Sequence, residues 1–148
     1  MKARITRIRQ GVALPEYKTR EAAAFDIAVC EGGIVPAGGT LFLPTGLVIQ
    51  APEGHMLVIA PRSSTFKKKG LRLGNTLGII DRDFCGPEDE LLIYFWNPGT
   101  EPVTIEAGER VAQGVFIPIT HAEWEEGEPA GPSRGGWGST GGYVQGKV

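Results

Sequence analysis

Residues 40–60 read TLFLPTGLVIQAPEGHMLVIA, two apolar runs separated by APEG, a segment that contains two turn-forming residues. Further apolar runs, each bounded by segments rich in Gly, Pro or polar residues, lie at 25–29, 91–96, 103–105 and 110–119. Short strands between such breakers are typical of an all-β sandwich, barrel or jelly roll. The best helix candidate is STFKKKG at 64–70, whose serine can cap a helix N-terminus. We therefore predict an all-β fold with one short helix.

The composition argues against several functional classes. A length of 148 residues suits one domain, and the formal net charge of −2 provides no overall basic field for nucleic acid. The cysteines, Cys30 and Cys85, lie far apart without a nearby histidine, which indicates neither a disulfide framework nor a zinc site. No stretch has the apolar character of a signal peptide or a membrane span. We expect a soluble cytoplasmic protein with no nucleic-acid or membrane partner.

The stretch LGNTLGIIDRDFCGPEDE at 73–90 contains the first candidate for chemistry. Its apolar run stops at Asp81, which is followed by a second aspartate, an aromatic residue and a glycine. Aspartate and glycine commonly end strands and form turns. From these residues alone, Asp81 is either a turn residue or a catalytic carboxylate.

PRSST at 61–65 is the second candidate, because it follows a strand and opens the predicted helix. Arg62 can offer two parallel charge-assisted hydrogen bonds, and Ser63 and Ser64 can add hydroxyls and amides to a phosphate site. An ordinary helix cap beside a surface arginine is the alternative.

Two polar residues interrupt apolar strands and need partners. Asp26 lies in the middle of FDIAV, where a lone carboxylate is costly, and we propose Arg62 as its partner. Gln113 lies within RVAQGVFIPI, where either a ligand satisfies its amide or an edge strand exposes it to water.

The chain changes character near residue 120. It is acidic at first and then glycine-rich, yet the glycine-rich part contains Arg134 and Trp137. Such a segment cannot bury enough apolar surface to order itself. It is either a frayed tail or an arm that closes over a planar, anionic ligand.

Taken in order, FDIAV, PRSS, GNTLGIIDRDF with the following Gly, GERVAQ and RGGWGSTGG resemble the five motifs of the trimeric dUTP diphosphatases (dUTPases). The resemblance runs from about residue 22 to residue 142. It implies a distorted jelly roll (β-clip) in a homotrimer, with a β core at 1–120 and a linker and arm at 121–148 exchanged between subunits. It also implies hydrolysis of dUTP to dUMP and pyrophosphate, which keeps uracil out of DNA and supplies dUMP for thymidylate synthesis. Mg²⁺ would be held by the triphosphate and waters, without a direct protein ligand.

The resemblance also assigns roles to individual residues. Asp81 would activate a water for attack on the α-phosphorus, and Asp26 would support Arg62. The residues implied for the phosphates are Arg62, Ser63, Ser64, Gln113, Arg134, Ser139 and Thr140. Those implied for the nucleoside are Asn75, the backbone between Gly78 and Ile80, Phe84 under the deoxyribose and Trp137 stacked on the uracil.

This chain departs from the family pattern at several positions. Phe84 replaces the usual tyrosine, Trp137 the usual phenylalanine, and the arm after Arg134 is about two residues short. The segment between Gly86 and Asn97 is about three residues longer than the common pattern of the family, and we expect its acidic tip to face solvent. A related dCTP deaminase, or a bifunctional enzyme, is one alternative, although its catalytic glutamate is replaced here by Tyr94. A catalytically idle nucleotide-binding jelly-roll module is the other.

Overall fold

The computed structural model describes residues 1–136, and this part of the chain is built almost entirely of short strands. The elements are β1 (Arg4–Arg7), β2 (Phe25–Ala28), β3 (Gly33–Val35), β4 (Thr40–Pro44), β5 (Leu47–Gln50), β6 (His55–Pro61), α1 (Thr65–Lys69), β7 (Arg72–Leu73), β8 (Gly78–Ile80), β9 (Leu92–Trp96), β10 (Val103–Ile105) and β11 (Arg110–Pro118). Each predicted apolar run contains at least one of these strands. The predicted all-β class with a short helix is confirmed.

The strands form four small antiparallel sheets. The largest has the order β2-β11-β6-β8, and a three-stranded sheet has the order β4-β9-β7. Two-stranded sheets join β1 to β5 and β10 to β3. Strand β6 therefore has β11 on one side and β8 on the other, so the PRSST segment and the Asp81 segment are attached to the same sheet.

The core lies between the sheets and consists of alternate strand residues. Ile27, Leu57, Phe95 and Ile105 each have 0% of their surface exposed. Burial of such a side chain contributes about 1.5–3 kcal/mol. Asn97, which ends β9, is buried but satisfied, because its side-chain amide donates to the carbonyls of Val35 and Glu101.

Helix α1 forms where the sequence predicts it. It ends at Gly70, whose φ of 68° is left-handed, and the Gly70 N–H donates to the carbonyl of Phe66. Buried Thr65 fastens its first turn by donating from Oγ1 to the carbonyl of Val111 at 2.9 Å. The expectation of a serine cap is wrong in detail: Ser64 occupies the cap position, but its side chain makes no capping hydrogen bond.

The described part of the chain after β11 has no strand or helix, and residues 120–136 are exposed. Arg134 is exposed in this segment, whereas Trp137, Ser139 and Thr140 lie outside the described residues. Across residues 1–136, no helix has the length and apolar character needed to cross a membrane.

Candidate active site

The first part of the site is a cluster of charged side chains at one end of the four-stranded sheet. Asp26 of β2 lies opposite Gln113 of β11, which in turn lies opposite Ala60 of β6, and Arg62 follows immediately after β6. Arg62 Nε contacts Asp26 Oδ1 at 2.9 Å, and Arg62 Nη1 donates to the Arg110 carbonyl at 2.6 Å. The predicted Asp26–Arg62 pair is confirmed.

This pair is well buried on the carboxylate side and accessible on the guanidinium side. The side chain of Asp26 is 10% exposed and that of Arg62 is 30% exposed. The second oxygen of Asp26, Oδ2, is buried without a hydrogen-bond partner in the described residues, and Arg110 Nε lies 3.7 Å from it. Two arginines therefore share one carboxylate, which leaves the cluster with positive charge to offer an anion.

A small cavity of about 240 Å³ opens beside Arg62, between α1 and β11. Its lining contains four cationic side chains, those of Arg62, Lys68, Lys69 and Arg110, and the single carboxylate of Glu109, together with Ser64, Thr65 and Val111. Lys69 is partly neutralised by Glu109 at 2.7 Å. Ser63 is exposed and Ser64 is half-buried at the edge of this cavity. The excess of cations and the uncapped serine suit a phosphate group.

Gln113 belongs to the same cluster. Its Nε2 donates to the carbonyl of Pro61 at 2.9 Å, immediately before Arg62. Strand β11 lies between β2 and β6, so the alternative that placed Gln113 on an edge strand is wrong.

The acidic residues around the cluster are also fixed. The side chain of Glu16 is hydrogen-bonded by Lys18, and this bond lowers the pKa of the Glu16 carboxyl. The backbone carbonyl of Glu16 accepts from the Asp26 N–H at 3.0 Å.

The sequence analysis did not predict that Lys69, Glu109 and Arg110 belong to this cluster. The charged pair Glu109 and Arg110, directly after a turn glycine, was the feature of the sequence that could have indicated it.

The second part of the site is the hairpin from β7 to β8 and the loop that follows it. Asn75 is exposed, and its carbonyl accepts from the Leu77 N–H at 2.6 Å within a tight turn in which Thr76 has a φ of 63°. Gly78 is buried, and a Cβ added there would approach Ile59 Cβ to 3.2 Å. This close approach explains the glycine. Ile80 is half-buried at the end of β8.

Asp81 follows β8 directly, and both interpretations of its sequence position have support. Its carbonyl accepts from the Phe84 N–H at 3.2 Å, so its backbone forms a turn. Its side chain is exposed, which leaves the carboxylate accessible to a ligand or a water. Phe84 is 43% exposed, so its ring is accessible to a ligand.

The two parts of the site lie far apart within one chain. Ile80 lies opposite Leu57, which places Asp81 level with Met56, and Arg62 lies six residues beyond Met56, just past the end of β6. At about 3.3 Å per residue this separation is roughly 20 Å along the strand. The structure thus brings Asp26, Arg62, Ser64 and Gln113 together, and Asn75, Gly78, Asp81 and Phe84 together, but does not join the two groups.

The acidic insertion after Gly86 does not behave as expected. Pro87 and Glu88 are exposed, but Asp89 and Glu90 are half-buried. Asp89 Oδ2 accepts from the Gly86 N–H at 2.7 Å, and Glu90 Oε1 accepts from the Gly46 N–H at 2.7 Å. The prediction of a solvent-facing tip is wrong for these two residues, because backbone donors inside the fold hold their carboxylates.

Tyr94 occupies the position at which a deaminase would have its glutamate, and here it is a packing residue. Its ring stacks on Phe42 with centroids 4.1 Å apart and an angle of 12° between the planes. A Cβ added to Gly74 would lie 2.4 Å from Tyr94 Cε1, so the ring also covers the start of the hairpin.

Residues 1–136 contain no group of three His, Cys, Asp or Glu side chains that could hold a metal ion. The cationic cavity beside Arg62 fits an anion such as phosphate better than a bare cation.

Comparison with known proteins agrees with this arrangement. The family model described as dUTPase matches residues 10–141. A deoxyuridine 5'-triphosphate nucleotidohydrolase of Shewanella sediminis is 39% identical, over 92% of this chain and 91% of its own length. One of Erwinia tasmaniensis is 41% identical, over 80% of this chain and 78% of its own.

Solved structures show the same fold. The dUTPase of Streptococcus mutans superposes with a TM-score of 0.75 at 34% identity, covering 84% of this chain and all (100%) of its own. A dUTPase variant of Staphylococcus bacteriophage 80alpha with dUpNHpp superposes with a TM-score of 0.83 at 22% identity, covering 95% of this chain and 98% of its own. With the five motifs in order, a family match over most of its length and this fold, the chain belongs to the dUTPase family.

Proposed function

We propose that this protein hydrolyses dUTP to dUMP and pyrophosphate, as the names of its relatives state for them. The observation that supports the proposal is that one sheet carries an exposed carboxylate, Asp81, at one end and a cationic cluster around Arg62 at the other. A nucleoside triphosphate needs both: charge neutralisation along the phosphates, and a base that acts beside one phosphorus.

The cationic cluster would bind the triphosphate. Arg62 is already oriented by Asp26 and the Arg110 carbonyl, so little side-chain freedom remains to be lost when a phosphate binds. Ser64 lines the same cavity as Arg62. The hydroxyls of Ser63 and Ser64 and the amide of Gln113 would donate to phosphate oxygens.

Asp81 would be the general base. A carboxylate within hydrogen-bond distance of a water can orient it in line with the α-phosphorus and accept its proton. The P–O bond to the β-phosphate then breaks, and pyrophosphate leaves. Mg²⁺, when bound by the triphosphate oxygens and water, would neutralise the charge on those oxygens.

The β7–β8 hairpin would select the base. The side chain of Asn75 and the backbone groups between Gly78 and Ile80 would pair with the polar edge of uracil, and cytosine would leave donors and acceptors unmatched. Phe84 would pack under the deoxyribose and oppose a 2′-hydroxyl. Trp137 would stack on the uracil, while Arg134, Ser139 and Thr140 would close over the far end of the triphosphate.

A homotrimer would solve the problem posed by the distance of roughly 20 Å between Asp81 and Arg62. With the hairpin of one subunit placed next to the cationic cluster of a neighbour, both parts could contact one nucleotide. The arm of a subunit would then complete the site. The separation within one chain supports such sharing, and we propose it together with a cytoplasmic location.

An apolar surface suited to subunit contact lies on the outer face of the four-stranded sheet. Val115, Val58 and Ile79 lie in register across β11, β6 and β8, whereas Leu57 and Ile59 belong to the core. Val58 is buried and Val115 half-buried within the chain, so Ile79 is the exposed member of the three. Ile79 is 64% exposed. A sheet that is apolar on both faces is usually covered on both.

Sedimentation tests this surface. The unaltered chain should sediment as a trimer and Ile79→Glu as smaller species, because a carboxylate cannot be buried unpaired between subunits. Ile34→Glu is the control, since Ile34 is similarly exposed, at 61%, but lies on the β10–β3 sheet. A monomer for the unaltered chain would remove the shared-site proposal.

The direct test of the function is pyrophosphate release from dUTP, dCTP, dTTP and UTP in the presence of Mg²⁺. We expect selective turnover of dUTP. Ammonia release from dCTP would instead reveal a deaminase, an outcome that the packed Tyr94 argues against. A folded protein that is inactive in both assays would instead support a catalytically idle nucleotide-binding module.

A further inference from the structure

The loop between β8 and β9, residues 81–91, carries Asp81 and Phe84 near its start and the additional acidic residues near its end. Its local backbone hydrogen bonds are short-range ones, from Phe84 to Asp81, from Cys85 to Asp83 and from Asp89 to Gly86. Such bonds shape the turns of the loop but do not attach it to the rest of the fold.

Glu90 is one of the residues that attach the loop to the rest of the fold. Its Oε1 accepts from the Gly46 N–H at 2.7 Å and its Oε2 accepts from Arg9 Nη2 at 2.9 Å. The Glu90 side chain is only 15% exposed, whereas that of Arg9 is 40% exposed, so the bond from Gly46 is the better shielded of the two. A carboxylate that accepts one backbone and one guanidinium hydrogen bond is held more firmly than a surface ion pair.

The neighbouring contacts of the loop reach the same part of the fold. The Leu91 N–H donates to the Leu47 carbonyl at 2.8 Å, and Thr45 Oγ1 donates to the Leu91 carbonyl at 2.7 Å. Gln50 Nε2 donates to Cys85 Sγ at 3.2 Å, a weaker bond because sulfur is a poor acceptor. The loop therefore rests on residues 45–50, and Glu90 is its strongest side-chain anchor.

The receiving turn has little room to adjust. Gly46 has a φ of 69°, and a Cβ there would lie 2.4 Å from Val12 Cγ2. Tight packing therefore sets the direction of the Gly46 N–H, and the Glu90 carboxylate has to be placed where it can accept that hydrogen bond.

We propose that Glu90, together with Arg9, is a positioning residue that sets the placement of Asp81 and Phe84. Glu90 acts through the loop, at the end opposite to these two residues, and does not itself contact the nucleotide. The inference rests on the proposed function, because it concerns residues assigned to dUTP hydrolysis. It also gives a purpose to the acidic residues that lengthen this loop beyond the common pattern of the family.

The test compares Glu90→Ala and Glu90→Gln with Glu31→Ala. The glutamine can still accept the Gly46 N–H but loses the charge that Arg9 contacts. Glu31 contacts the same arginine from outside the loop, so Glu31→Ala controls for a disturbed Arg9. All variants are assayed as full chains with dUTP and UTP, and their melting temperatures are measured.

We expect Glu90→Ala to lower kcat for dUTP by about tenfold, because small displacements of a catalytic group are costly. The preference of Glu90→Ala for dUTP over UTP should fall as Phe84 shifts. Glu90→Gln should have a kcat and a preference between those of Glu90→Ala and the unaltered chain. Glu31→Ala should match the unaltered chain in both. A purely structural role would lower the melting temperature and leave kcat and the preference unchanged at temperatures well below melting. That result would overturn the proposal.

Amide hydrogen exchange separates this inference from the proposed function. Without any nucleotide, the amides of Phe84, Cys85 and Gly86 should exchange several-fold faster in Glu90→Ala than in Glu31→Ala. Equal exchange would refute the anchoring role even if dUTP is hydrolysed. If the amides of Glu90→Ala exchange faster but the unaltered chain does not hydrolyse dUTP, the proposed function is refuted and the anchoring role of Glu90 is supported.

Discussion

At one end of the four-stranded sheet, Arg62 is held by a carboxylate and a backbone carbonyl; at the other end, Asp81 stands exposed at the start of a loop. We refer to Asp26, Arg62, Ser64, Arg110 and Gln113 as the phosphate end, and to Asn75, Gly78, Ile80, Asp81 and Phe84 as the nucleoside end. The phosphate end is organised by side-chain pairs, and the nucleoside end mainly by backbone turns.

The difference follows from what each end has to do. Phosphates are bound by charge, and guanidinium groups that are already oriented need no rearrangement when the ligand arrives. A nucleobase is recognised by backbone donors and acceptors that match its polar edge. The proton-accepting carboxylate must also reach a water, so the nucleoside end has to remain open. Because the two ends lie at opposite ends of one sheet, the proposed function requires them to meet across subunits.

Among substitutions that test the different roles of the two ends, the largest loss of activity is expected at Asp81. We predict that Asp81→Asn lowers kcat by about 10³-fold or more, because an amide cannot accept the proton of the attacking water. Nucleotide binding should be retained, since the phosphate end is unaltered; kinetics and binding of a non-hydrolysable dUTP analogue measure the two. Asp83→Asn, in the same turn, is the control, and equal losses in both variants would contradict the assignment.

Loss of charge at the phosphate end should have a somewhat smaller effect. Arg62→Ala should lower kcat/KM for dUTP by about 100-fold, since it removes a preoriented donor to the phosphates. It should lower dTTP and dCTP turnover, where measurable, by the same factor, because this end does not read the base. Arg20→Ala, at an exposed arginine outside the cluster, should be neutral. A changed base preference in Arg62→Ala would argue against the separation of roles.

The aromatic of the arm should make the smallest contribution. Trp137→Ala should lower kcat/KM for dUTP by about tenfold, the scale of one lost base–aromatic stack. Thermal unfolding should not change, and Trp124→Ala serves as the control, because Trp124 is 95% exposed in the linker. Unchanged kinetics for Trp137→Ala would show that the arm does not stack on the base.

Much of the phosphate end could be predicted from the sequence, because a carboxylate in the middle of an apolar strand must find a cation. This reasoning yielded the Asp26–Arg62 pair, which the structure contains. Asp81 was ambiguous by itself and became a catalytic candidate only through the order of five motifs. In the structure, its backbone does form the turn, so the two interpretations are compatible.

The inward direction of Asp89 and Glu90 could not be predicted. A run of acidic residues after Gly-Pro looks like a solvated tip, and only the fold shows that Gly86 and Gly46 offer N–H groups to these carboxylates. The uncapped Ser64 is a similar case, because a serine before a helix usually caps it. At Glu90, a contact with Gly46, 44 residues away in the sequence, overrides the local rule, whereas the Asp89–Gly86 contact spans only three residues.

Complementation between two inactive variants tests the central claim, that the two ends act together only across subunits. Asp81→Asn and Arg62→Ala are to be produced together in one cell and purified as mixed assemblies, with each variant alone as reference. In a trimer assembled at random, about one site in four combines an intact nucleoside end with an intact phosphate end from another subunit. We predict recovery of about a quarter of the unaltered dUTP turnover, since each such site is complete. Activity no higher than that of the two separate variants, in assemblies shown to contain both, would contradict the shared site.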